Sequence, residues 1–145
     1  MASKLYGQFL SQALNKEIDW DTDTIKVALL TNSYTPDQDA HNYFDDVVAN
    51  EVTGATGYTS GGNTLANKTN SYNSSTNVIT LDADDTTWSS STITARYAVI
   101  YDASPSTNAT RPLIGYVDFG SDQSSSNGNF TITWDATGIV RITVA

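Results

Sequence analysis

Asp19, Asp21 and Asp23 are three acids at intervals of two. A calcium loop opens in this way, because alternate side chains can converge on one ion. The rest of such a loop does not follow, since its sixth position is Thr24 instead of glycine and its twelfth is Leu30 instead of a bidentate glutamate. An EF-hand is thereby excluded. An irregular calcium site drawing on Asp82, Asp84 and Asp85 competes with the plainer reading of solvated turn acids, and no metal ligand set is assigned. His41 is the only histidine, so a multi-histidine centre cannot form within one chain. A Ser-His-Asp triad lacks the Gly-x-Ser-x-Gly turn that would hold its nucleophile. The 14 Asp supply many carboxylate pairs, but nothing singles one out for glycoside hydrolysis. Gly54, Gly57, Gly61 and Gly62 do not form a GxGxxG or a phosphate-binding loop, so nucleotide binding is rejected and no cofactor is expected. The absence of cysteine removes thiolate sites and disulfides. The aromatic residues are more informative. Trp20, Tyr34, Tyr58 and Trp88 sit among polar turn residues and are the candidate sugar platforms, whereas Trp134 ends an alternating strand and is expected in the core.

The elements that must position these residues follow from periodicity. Residues 4–15 place Leu5, Phe9 and Ala13 on one stripe with Tyr6, Leu10 and Leu14 beside it, which predicts an amphipathic helix with Ser3 as its N-cap. Its apolar face either covers the domain's own core or docks on a neighbour, and Leu5, Tyr6, Phe9 and Leu10 are the candidate docking face. Residues 25–31 read as a central strand, and residues 39–50, with Tyr43, Phe44, Val47 and Val48, as a second short helix. Residues 54–62 form a glycine-rich loop. Strands are then expected over 63–72, 76–82, 92–102, 112–119, 129–134 and 139–144. Within 92–102, Ile93, Ala95, Tyr97, Val99 and Tyr101 are expected on one face. Asn127-Gly128 suggests a tight hairpin between the strands on either side of it. About seven short strands with frequent turns indicate a mainly β fold, a single β-sandwich or barrel-like domain over 1–145. It divides into an N-terminal helical arm over 1–16 and a β-rich body over 25–145.

Composition agrees. The 145 residues suit one domain, and 16 Ser, 21 Thr and 12 Asn supply polarity where only 16% of residues are charged. Asp outnumbers Glu 14 to 2, which favours turns over helices. A net charge of −9 argues against direct nucleic-acid binding, which needs a basic footprint. No stretch reaches the roughly 18 apolar residues of a membrane-spanning helix, and the first residues lack the apolar segment of a signal peptide.

Several ordered blocks carry a resemblance. Residues 21–31 (DTDTIKVALLT) with Ser33-Tyr34-Thr35-Pro36, then 57–65 (GYTSGGNTL), 87–99 (TWSSSTITARYAV), Pro112-Leu113-Ile114 with Asp118-Phe119-Gly120, and 127–134 (NGNFTITW) together resemble a family of small tailed-bacteriophage virion proteins. The resemblance runs over nearly the whole chain and implies a structural protein without catalytic residues, made in the bacterial cytoplasm and carried in the virion. Some such proteins are decoration, or cement, subunits of the head. The expected partners are the major capsid protein and neighbouring copies of the chain, as a dimer or trimer on the lattice. A strongly acidic subunit would be repelled by packed DNA inside a head, so the outer surface is the expected place. The alternatives are a carbohydrate-binding module of a head or tail fibre, using Trp20, Tyr34, Tyr58 or Trp88, and a tail or neck component.

Overall fold

The computed structural model describes residues 2–144. Met1, the start of the expected arm, lies outside the described residues. The fold is mainly β, with 44% of residues in strands. Ten strands run along the described residues: β1 (Ala2–Leu5), β2 (Ile25–Leu30), β3 (Asn63–Thr64), β4 (Thr69–Asn73), β5 (Val78–Asp82), β6 (Thr86–Ser91), β7 (Thr94–Asp102), β8 (Leu113–Ser124), β9 (Gly128–Ile132) and β10 (Val140–Thr143). One six-residue helix, α1 (Phe9–Leu14), follows β1. The strands form a five-stranded antiparallel sheet in the order β1-β8-β7-β2-β3, a three-stranded sheet β10-β5-β4 and the pair β6-β9.

A sandwich results from alternation in β2. Ile25, Val27 and Leu29 face a core that also holds Leu81 and Val140 of the three-stranded sheet and Trp88, Phe130 and Ile132 of the β6-β9 pair. Ala28 and Leu30 point the other way, into a second cluster with Tyr6, Tyr34, Phe44 and Val47. The five-stranded sheet is therefore covered on both faces, which explains why Val27, Ala28, Leu29 and Leu30 of β2 are consecutive apolar residues. The cover on the second face is the segment 31–50, pinned where Phe44 stacks on Tyr101 of β7 with ring centroids 4.0 Å apart.

Five expectations change. The helix expected over 4–15 shrinks to Phe9–Leu14, because Ala2–Leu5 pair with β8 and Ser3 lies in that strand instead of capping a helix. A short helix is marginal without packing, and ladder hydrogen bonds outweigh it here. The second helix is replaced by two single 3₁₀ turns, Phe44–Asp46 and Val48–Asn50. Its start is pulled into extended backbone, where Tyr43 bridges Pro112 and the Phe44 N–H donates to the Arg111 carbonyl at 2.9 Å. The single face expected for 92–102 is also incorrect. The register slips between Ala95 and Tyr97, which pair with Gln123 and Asp118, so β8 carries extra residues opposite Arg96 and the alternation of β7 is broken there. Ile93 and Ala95 consequently join the inter-sheet core, and Tyr97, Val99 and Tyr101 the opposite cluster. Finally, Asn127-Gly128 does not close a β8-β9 hairpin. β8 runs on to Ser124 against β7, and β9 pairs with β6, so the turn carries the chain from one layer to the other. Residues 86–91, read as a polar turn around Trp88, form β6.

The hairpin β4-β5 and the closing strand β10 agree with the expected 63–72, 76–82 and 139–144 segments, with β3 split from β4.

Candidate functional site

The glycan platforms expected from sequence are not surface rings. Trp20, Tyr34 and Trp88 are buried, and Tyr58 is half-buried with its ring against Trp88. Each polar atom except one serves the fold. Trp20 Nε1–H donates to the Thr69 carbonyl at 3.0 Å. The Tyr58 hydroxyl donates to Glu51 Oε1 at 2.7 Å and accepts the Leu29 N–H at 3.0 Å. Trp88 Nε1 is buried without a partner. Burial and the Glu51 carboxylate together hold the Tyr58 phenol well above its ordinary range, so it stays a donor. Glu51 also accepts the Gly61 N–H, which ties the 54–62 loop to β2. Tyr58→Phe is expected to lower unfolding free energy by about 1–2 kcal/mol, because it leaves the Leu29 N–H without this acceptor and takes one of two donors from the buried Glu51 carboxylate. Urea titration of both proteins measures it.

His41 belongs to a clasp. Tyr6 and Tyr34 hydroxyls lie 2.7 Å apart, and the Tyr34 hydroxyl is 3.0 Å from His41 Nδ1, which also accepts the Asp37 N–H. With Nδ1 an acceptor, the Tyr34 hydroxyl donates to it and the Tyr6 hydroxyl donates to Tyr34. This chain fastens the 31–50 cover to the sheet.

The acids divide in the same way. Asp19 Oδ1 accepts the N–H groups of Asp21 and Thr22, Asp37 Oδ1 those of Asp39 and Ala40, and Asp46 Oδ2 those of Asn42 and Tyr43. Backbone donors hold the Asp19 and Asp37 carboxyls below the usual carboxylate range. Asp118 is also lowered, chiefly by its hydrogen-bonded ion pair with Arg96 at 2.7 Å. Asp84 and Asp85, part of the irregular calcium site weighed above, accept from Asn67 Nδ2 and the Trp134 N–H. Among the described residues no three acids or histidines are placed to hold a metal ion. Trp134 is half-buried and donates to the Asp84 carbonyl, so it packs at the core's margin.

Two acids depart from this pattern: Asp82 Oδ1, at the end of β5, is buried without a donor, and Asp102 departs further. It is fully buried at the end of β7, where Oδ1 accepts the Ser104 N–H at 2.8 Å and Oδ2 has no donor. Burial, reinforced by the neighbouring Asp23 carboxylate, pushes its pKa up to about 6.

Of the expected docking face, Tyr6 and Phe9 are turned inward, 2% and 3% exposed, and Leu5 packs half-buried against the inter-sheet core. These three side chains serve the domain itself. Leu10 remains outward, and Leu14, one turn further on, is more exposed still. The i, i+4 spacing of Leu10 and Leu14 was legible. Which of two adjacent stripes faced inward was not, and the partial burial of Ala13 beside Phe9 decides it.

Two clefts lie along the open side of the sandwich. One, of about 360 Å³, is lined by Leu5, Gly115, Val117, Ile132, Trp134 and Ile139, and the other, of about 460 Å³, lies between Phe119 and the outer side of β9. Both are floored by core side chains and share Ile132 and Thr133. No family model, curated protein or solved structure gives a significant match to this chain. The functional reading therefore rests on the molecule's own residues. No helix among the described residues is long and apolar enough to cross a membrane.

Proposed function

We propose that this chain is a non-enzymatic structural protein of a tailed-phage virion, a decoration subunit bound to the outer face of the major capsid lattice. The observation that carries the reading is where the family-like blocks fall. Residues 21–31 hold β2, 87–99 hold β6 and most of β7, and 127–134 hold β9. Residues 57–65 supply the loop that Glu51 and Tyr101 anchor. The blocks thus coincide with strands and anchored loops of the framework, which supports a structural role. The net charge of −9 favours the exterior over the DNA-filled interior. The acids are largely committed to turns, as the hydrogen bonds of Asp19, Asp37 and Asp46 illustrate. Burial of Trp20, Tyr34 and Trp88 removes the rings on which a carbohydrate-binding module would depend.

The mechanism is mass action. A subunit that binds only the assembled shell shifts the equilibrium toward that shell. Copy number per virion, measured by quantitative mass spectrometry, tests the location. A lattice-covering subunit is present in hundreds of copies, whereas about six to twelve copies, the count set by the symmetry of a neck or tail ring, would move the protein to the tail.

A further inference from the structure

Resting on that reading, we infer that α1 and the adjoining segment 37–46 form the face that docks on the capsid, and that its partner is a basic protein surface with an apolar recess. Leu10 and Leu14 are 46% and 78% exposed and stand one helical turn apart. They project from a rigid support. On the inner side of α1, Phe9 and Gln12 are buried, and the Gly7 N–H just before it donates to the Gln38 carbonyl at 2.9 Å. Beyond its other end the Tyr43 hydroxyl donates to Glu17 Oε2. Segment 37–46 is therefore tied to the chain on both sides of the helix.

That segment brings charge with it. Asp37, Asp39, Asp45 and Asp46 are all exposed, as is Glu17, while Lys16 is the only lysine or arginine in 7–17 and 37–46. The Asp37 and Asp46 carboxylates are held in place by backbone N–H groups, so the negative field is preorganised instead of borne on mobile side chains. An exposed apolar pair on a helix flanked by an acidic segment complements a partner with opposite charge and a recess for leucine side chains. A second copy of this chain does not fit, because an isologous contact would set the same acids against each other. Nucleic acid and anionic lipid are repelled for the same reason.

The test uses the full chain and empty heads assembled from the major capsid protein of the same phage, with bound subunit measured by cosedimentation. Leu14→Glu, at a position too exposed to threaten folding, is expected to weaken binding at least tenfold, and Asp45→Lys to weaken it several-fold. Affinity of the unaltered chain should fall as salt rises. Tyr72→Ser, which removes an exposed aromatic ring on β4, should leave binding unchanged. Retention of full affinity by Leu14→Glu, or loss of it only in Tyr72→Ser, would overturn the docking face while leaving the decoration reading intact. Failure of the unaltered chain to bind the heads would overturn the decoration reading itself, and this face with it.

Discussion

Gly62→Ala is expected to cost about 3–5 kcal/mol, enough to leave little of the folded state in a domain of ordinary stability. Gly62 sits at φ +72°, and a Cβ there would lie 1.8 Å from the Val27 carbonyl oxygen and 2.7 Å from the Ala28 Cα. Neither atom can yield. Both belong to the backbone of β2, which is paired with β7 on one side and β3 on the other and packed on both faces. The loop cannot retreat either, because the Gly61 N–H is bound to Glu51, the Gly61 carbonyl accepts from the Tyr101 hydroxyl at 2.9 Å, and Asn63 begins β3. Gly54→Ala is the control. Gly54 has a similar φ of +67° but open space around it, so only the left-handed backbone cost of about 1–2 kcal/mol applies. Urea unfolding of the two variants separates backbone strain from collision. Equal stabilities for the two would show that the loop does not press on β2.

Asp102→Asn is expected to stabilise the protein at neutral pH, by up to about 3 kcal/mol, since each unit of pKa shift corresponds to about 1.4 kcal/mol. The Asp102 carboxyl is raised by burial and by Asp23 from the usual carboxylate range to about 6. Between those two values the folded state holds a proton that the unfolded chain has released, so the contribution is complete at low pH and is lost as pH rises through about 6. Above that, the parent protein carries a buried charge whose Oδ2 has no donor. An amide carries no charge, can keep the Ser104 N–H contact through its oxygen, and can offer N–H groups toward Asp23. Melting temperatures from pH 4 to 8 should therefore converge at the acid end and diverge at the alkaline end. The lowered carboxyls Asp19, Asp37, Asp118 and Asp135 give a slope of opposite sign, but they are common to both proteins and cancel in the difference. A parent and variant with the same melting temperature at pH 8 would contradict the burial of an unpaired Asp102.

The two residues behind these predictions stand differently toward the sequence. Gly62 lies in a segment whose glycines announce a loop, but neither its positive φ nor the collision with Val27 is visible before the structure is known. Asp102 gives no such sign. It reads as one more turn acid beside Ala103-Ser104-Pro105, and only the folding of the 19–24 turn against the end of β7 makes it a buried, repelled carboxyl.

The candidate docking residues show the same division. The i, i+4 recurrence of apolar residues located α1, but two adjacent stripes satisfied it, and pairing of Ala2–Leu5 with β8 set which one turned inward. Trp20 and Trp88 sat among polar neighbours that made them look exposed. Burial depends on the opposing layer, and β6, which carries Trp88, pairs with β9 some forty residues further along the chain.

By itself the sequence determined the β class, a central apolar strand within 25–31, the β4-β5 hairpin and the predominance of turn-forming acids. These follow from alternation, Gly and Asn placement, and the preference of Asp for backbone donors, all of which act within a few residues. The tertiary structure alone decided that β1 would be a strand, that a bulge would divide the side chains of 93–101 between two cores, and that four candidate platforms would turn inward. Those outcomes depend on hydrogen bonds and apolar contacts between distant segments, whose free energy exceeds the small local propensities they override.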